Sequence, residues 1–228
     1  MKSCLTKALV VFLAASAVVA VAYFWYQKSN PLPVYSPAQV NPILVDEDVR
    51  FNKNHRVEYF SLSDQTGGTT DSTFLTGKIH VADFFFTTCQ TICPIMSGKM
   101  DYVASQFSTE DDLRFLSFSV LPEEDSIPAL AAYATAYGVD DGQWRLLTGD
   151  RKKIYQLARR SYFTLKPAEV GEGDGGKSDF IHTNNFVLVD SQQRIRGYYD
   201  GTSDLEMNRL ISDIELLLEE EKKKQAED

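Results

Sequence analysis

Apolar and polar positions along the chain change period several times, and the changes mark its elements. Residues 79–86 form a nearly continuous apolar run, the pattern of a strand covered on both faces. From Ile95 onward Met96, Met100, Val103 and Phe107 recur at helical spacing, which predicts a helix over 95–107 with one apolar stripe. Residues 113–120 read as the next strand. Ile127, Leu130, Ala131, Ala134 and Tyr137 predict a second helix, stopped by Gly138. Residues 144–147 are a short strand, and Asp150 is placed to cap a third helix running to about Arg159.

Elsewhere the signals are shorter. Residues 57–62 alternate weakly as a strand, 64–68 read as a turn, and Phe74-Leu75 as a short return strand, together a β-hairpin. Residues 161–165 predict a further strand, and 168–179 a polar, glycine-rich loop with little to bury. Residues 186–189 and 195–199 are strands joined by a hairpin connection. Met207, Leu210, Ile211, Ile214, Leu217 and Leu218 then give the clearest amphipathic helix, followed by a solvated charge run. Alternating strands and helices closed by a hairpin and a last helix predict an α/β fold with a mixed sheet flanked by helices. A buried strand entering a two-cysteine turn points to a thioredoxin-like arrangement.

The N-terminus follows a different rule. Between Lys7 and Lys28, residues 8–26 carry no charge. At 1.5 Å per residue they span roughly 28 Å as a helix, enough for a bilayer core. Tyr23, Trp25 and Tyr26 cluster at the far end, where aromatic side chains sit at the lipid boundary. This predicts a transmembrane anchor with the following domain exported. The alternative is a cleaved signal peptide, because Ala20-Val21-Ala22 is an A-x-A site. The expected organisation is an anchor or signal peptide over 1–28, a proline-rich tether over 29–56, a domain over 57–221 and a charged tail over 222–228. A short N-terminus suggests a bacterial inner membrane, with the single-pass protein's domain in the periplasm.

Composition adds one exclusion. The 228 residues carry a net charge of −9, and the first 27 contribute only two lysines and no acid. The exported part is therefore acidic, which argues against nucleic acid as a partner. Only three cysteines are present, Cys4, Cys89 and Cys93. One close pair in an otherwise cysteine-poor domain points to redox chemistry or metal binding more than to a structural staple, since so short a loop removes little chain entropy.

Pro94 shapes the expected geometry. Proline suits the first turn of a helix, and the residue before it avoids helical angles. This places Cys93 at the helix N-cap and Cys89 in the loop above the strand. Both sulfurs would then face the positive end of the helix, which favours thiolate, the metal-binding form. Two thiolates suit a soft ion such as Cu(I), and an added imidazole extends the site to Cu(II). Of the three histidines, His55 falls in the expected tether and His80 in the buried strand. His182 follows the polar loop and precedes a strand, so it is the candidate third ligand.

Phe86-Thr87-Thr88-Cys89-Gln90-Thr91-Ile92-Cys93-Pro94 resembles the signature of the SCO/SenC family, membrane-anchored copper proteins of cytochrome c oxidase assembly. Asp179-Phe180-Ile181-His182-Thr183, followed by Val187-Leu188-Val189-Asp190, resembles that family's downstream histidine element. The likeness covers about residues 57–218. It implies a thioredoxin-like fold and a copper ion held by Cys89, Cys93 and His182. It also implies a role in delivering copper to the oxidase subunit carrying CuA, or in reducing that site's thiols. One departure stands out: Ser119-Val120-Leu121-Pro122-Glu123-Glu124-Asp125 matches a family segment in which Leu121 stands where the family has an aspartate.

With the resemblance, the expected function is a copper chaperone, a binding and transfer protein more than an enzyme. The competing reading is an exported thiol–disulfide oxidoreductase that cycles Cys89 and Cys93 as a reversible disulfide without metal. A structural disulfide and a peroxidase are weaker alternatives, the latter because the turn lacks a peroxidatic pattern.

Overall fold

The computed structural model describes Lys7, residues 12–19, Val21, and residues 31–139, 142–164 and 183–227. Its contacts separate residues up to Leu32 from a unit running from Pro33 to Asp228. Among the described residues no helix is long and apolar enough to cross a membrane. Most of the expected anchor over 8–26 lies outside the described residues.

The second unit is built on a seven-stranded mixed sheet. Its elements are β1 (Ser61–Asp64), β2 (Thr69–Asp71), β3 (Ile79–Phe85), α1 (Ile92–Gln106), β4 (Leu113–Ser119), α2 (Ile127–Ala136), β5 (Trp144–Thr148), α3 (Arg151–Gln156), β6 (Asn185–Val189), β7 (Ile195–Asp200) and α4 (Asp204–Glu227). The sheet order is β2-β1-β5-β4-β3-β6-β7. Strands β3, β4 and β5 are mutually parallel, and the outer strands are antiparallel to their neighbours. The two parallel crossovers use α1 and α2, as parallel neighbours require.

Strand β3 has all seven residues buried, as its nearly continuous apolar run predicts. Phe84 stacks on Phe118 at 5.2 Å between ring centroids, and Tyr162 packs edge-on to Phe84 at 5.8 Å. Each such fully buried aromatic side chain stabilises the fold by about 2–3 kcal/mol. Helix caps follow the sequence signals: Asp150 accepts from the Lys153 N–H at 2.9 Å, and Gly138 takes the left-handed angle (φ 65°) that ends α2.

Four local expectations are corrected. The return strand of the hairpin is β2, not Phe74-Leu75. The Asp71 side chain accepts from the Thr73 N–H at 2.8 Å and turns Ser72–Leu75 into a short helical coil. The extended residues before β1 pair outside the ladder, with the Val57 N–H bonded to the Gln193 carbonyl and the Phe60 N–H to the Ser72 hydroxyl. No strand forms among the described residues over 161–164. There α3 runs into a π-helical turn, Leu157–Ser161, closed by the Tyr162 N–H on the Leu157 carbonyl, and Phe163 adopts φ 51°. Finally, the charged tail continues α4 to Glu227. Glu220 pairs with buried Arg196 at 2.7 Å and Lys222 with Glu110 at 3.0 Å, so part of the charge run meets protein partners.

The stretch expected as a tether also packs on the domain. Val40 and Val45 are buried in the core, and Tyr35 N–H bonds to the Ile195 carbonyl. Asp46 accepts from Arg159 at 2.8 Å and from Arg160 at 3.2 Å. Prolines break its periodicity, so its isolated apolar contacts carry no pattern legible along the chain.

Candidate metal centre

The cysteine turn leaves the carboxyl end of β3, the sheet edge where open α/β folds place their sites. The Cys89 N–H returns to the Phe86 carbonyl at 3.3 Å and forms the turn. Three residues later α1 begins. Its N-cap is Thr91, so Cys93 is the second helical residue and Pro94 the third. This corrects the expected N-cap position of Cys93: proline fits anywhere in the first turn, where its missing N–H has no intrahelical partner to lose.

The shift has a chemical consequence. Thr91 makes no side-chain capping bond. Instead the Cys93 N–H donates to the Cys89 sulfur at 3.5 Å, with the Thr91 hydroxyl 3.7 Å from the same sulfur. Cys89 sulfur thus acts as the cap of the helix that carries Cys93. Both residues are free thiols.

The two thiols are pushed in opposite directions. Partial burial acts to raise the Cys89 thiol. The Thr91 N–H, the Cys93 thiol and N–H, and the Thr91 hydroxyl outweigh it and bring it down to about 7. Cys93 is only 3% exposed. Burial above all, then the Cys89 thiol and the charges of Cys89 and Asp83, push it up to about 12, against a lowering contact with the Phe86 backbone. The expectation of two thiols both lowered by the helix is therefore corrected. The helix end serves Cys89, which faces its first N–H groups, while Cys93 is buried behind them.

Beneath Cys93 lies a polar cluster inside the core. Asp83, on β3, is 1% exposed and its Oδ1 has no hydrogen-bond partner. Burial raises this carboxyl to about 7 despite a bond with Ser117. Ser97 and Tyr133 share a hydrogen bond of 2.7 Å, and burial raises the Tyr133 phenol. On the other flank the loop after β4 grips the turn: Asp125, fully buried, accepts from the Thr87 N–H at 3.0 Å and from the Thr87 hydroxyl. The sequence marks Asp125 only as the last residue of the family-like segment and assigns Asp83 no role. Asp83 was the one charge inside an apolar run, a signal that was available, whereas the Thr87–Asp125 contact spans 38 positions and has no local signature.

The histidines separate. His55 is buried, with Nε2 2.8 Å from the Ser161 carbonyl and its ring against Phe163. His80 is fully buried near the start of β3, the end remote from the turn, and its Nε2 lies 3.0 Å from the Tyr162 hydroxyl. Burial drives it down to about 3, partly offset by Asp190, so it is neutral. His182 lies outside the described residues, whose next member is Thr183. Among the described residues no three histidine, cysteine or acidic side chains gather into a metal-binding group.

Comparison with known proteins agrees with this architecture. The family model described as SCO1/SenC matches residues 49–219. The SCO1 protein homolog of Bacillus subtilis is 32% identical over 163 residues, which is 71% of this chain and 82% of that protein. A SCO1/SenC family lipoprotein from Bacillus anthracis superimposes with a TM-score of 0.62 at 31% identity, covering 74% of this chain and 98% of that one. BsSco, described as a member of the Sco family of cytochrome c oxidase assembly proteins with a disulfide switch, gives 0.60 at 31% identity, covering 72% and 94%. Bradyrhizobium japonicum ScoI, solved with copper bound, shares the fold with a TM-score of 0.54 at 20% identity, over 71% and 99%. With a family match over three quarters of its length and a cysteine turn where the fold places its chemistry, the chain belongs to the SCO1/SenC family.

Proposed function

We propose that this protein is a copper chaperone for assembly of the CuA site of cytochrome c oxidase. It takes up copper ion as cargo through Cys89, Cys93 and His182. The observation that carries the reading is the asymmetric thiol pair: a Cys89 sulfur lowered to about 7 beside a buried Cys93, at the carboxyl end of the central strand. A thiolate already available near neutral pH binds a soft ion with little proton loss, and the ion's charge then drives the second thiol to ionise. The His182 assignment is supported by register. Strand β6 runs antiparallel to β3 with Val187 opposite Ala82, so its start points toward the edge that carries the cysteine turn.

Residues 1–28 would hold the protein at the inner membrane, with the domain in the periplasm facing the oxidase subunit. The net charge of −9 leaves nucleic acid aside. The test is copper titration of the reduced full-length protein beside Cys89→Ser, Cys93→Ser and His182→Ala. One-to-one binding, weakened by each substitution, is expected. Wild-type affinity in the two cysteine variants refutes the chaperone reading in favour of a metal-free thiol–disulfide oxidoreductase. Wild-type affinity in His182→Ala alone removes that ligand from the site.

A further inference from the structure

We propose that Asp125 is the positioning residue of the cysteine turn, holding Cys89 in place through Thr87. The carboxylate is fully buried, and three donors converge on it. Oδ1 takes the Thr87 N–H at 3.0 Å and the Thr87 hydroxyl, while Oδ2 takes the Ser119 hydroxyl. Ser119 ends β4, and its oxygen in turn accepts the Leu121 N–H at 3.2 Å. The adjacent strands are tied at the same level by the Val120 N–H on the Phe85 carbonyl at 2.8 Å. Thr87 lies inside the turn closed between Phe86 and Cys89. One buried acid therefore fixes the cysteine-bearing turn to the end of the neighbouring parallel strand. Charge-assisted bonds of this kind are about twice as strong as neutral ones, and a buried N–H left without an acceptor is costly.

The same network explains why Leu121 is tolerated in this loop. Its contributions are backbone ones: its carbonyl accepts the Glu124 and Asp125 N–H groups, each at 2.9 Å, and its N–H bonds Ser119. None of these needs a carboxylate at position 121. The polar contacts of the loop run through Asp125 and the Leu121 backbone.

The inference rests on the copper reading for one of its readouts and is independent of it for the other. Holding the turn raises the effective concentration of the Cys89 sulfur, both toward a metal shared with Cys93 and toward Cys93 itself. Asp125→Ala, Thr87→Val and Thr87→Ser are made in the full chain. Two quantities are measured on the folded proteins. One is the copper dissociation constant. The other is the copper-free equilibrium with dithiothreitol, in which a Cys89–Cys93 disulfide forms as one oxidised dithiothreitol is reduced, two electrons and two protons passing between them. Asp125→Ala is expected to weaken copper and shift the equilibrium toward the dithiol, each about tenfold, and Thr87→Val about threefold. Thr87→Ser, which keeps the hydroxyl, is expected at the wild-type values.

A folded Asp125→Ala with wild-type values in both, or Thr87→Ser impaired like Thr87→Val, overturns the proposal. Should Asp125→Ala fail to fold, the Thr87 pair decides alone. A lowered melting temperature with both quantities unchanged also overturns it, since that is the result of a purely structural role. A wild type that binds no copper overturns the chaperone reading, and the dithiothreitol equilibrium then tests the positioning role by itself.

Discussion

Asp83→Asn should gain stability relative to the wild type as pH rises from acid to neutral. Asp83 sits on the central strand at 1% exposure with Oδ1 unpartnered. Burial, offset in part by Ser117, raises its carboxyl from 3.8 to about 7. A raised acid binds more protons in the folded than in the unfolded chain between those two values. Stability contributed by this group is therefore complete below pH 3.8 and falls as pH climbs toward 7. A gap of about three units at about 1.4 kcal/mol each gives a loss of roughly 4 kcal/mol by pH 8. Asparagine has nearly the same shape and no charge to bury, so it escapes this loss. Urea unfolding of both proteins, reduced and metal-free, at pH 4.5, 6, 7 and 8, isolates the effect, because any pH-independent offset from the amide cancels. The difference should grow with pH in favour of asparagine. A difference that stays flat across this range would falsify the assignment of Asp83 as a buried, raised carboxyl.

Other substitutions probe the fold around the site. Gly197→Ala should cost about 2–3 kcal/mol in thermal unfolding, as overpacking does: the added Cβ would lie 2.6 Å from Tyr199 Cζ, forcing out a ring that donates to Asp213 and lies under Arg209. Gly98→Ala is expected to do the reverse, raising stability by about 0.5–1 kcal/mol, since this exposed position in α1 has nothing within 4 Å of a new Cβ. Asp46→Ala should destabilise by about 1–3 kcal/mol and speed proteolysis within residues 33–56, because it frees the two arginines that pin this stretch to the domain.

Local pattern carried much of this protein. The central strands, the four capped or amphipathic helices and the cysteine turn were legible because period, proline and capping residues act over a few positions. The family likeness rested on the same short segments. Where partners lie far apart in the chain, the sequence had no voice. Local caps also overrode weak strand propensity, as where Asp71 turns Ser72–Leu75 into a helical coil and Tyr162 closes the π-helical turn on Leu157. The stretch 33–56 looked like a tether because its contacts, Asp46 with Arg159 and Arg160, are more than a hundred positions distant.

The cysteine turn shows the division most plainly. Sequence alone determined that two thiols stand beside a helix entrance at the end of a buried strand, since Cys89, Cys93, Pro94 and the apolar run before them are neighbours. Only the tertiary structure decided that the thiols differ. Burial raises Cys93 above Cys89, Asp83 lies in the core beneath it, and Asp125 holds the turn from the next strand. Desolvation and long-range hydrogen bonding depend on what surrounds a group in space, and no spacing along the chain records that.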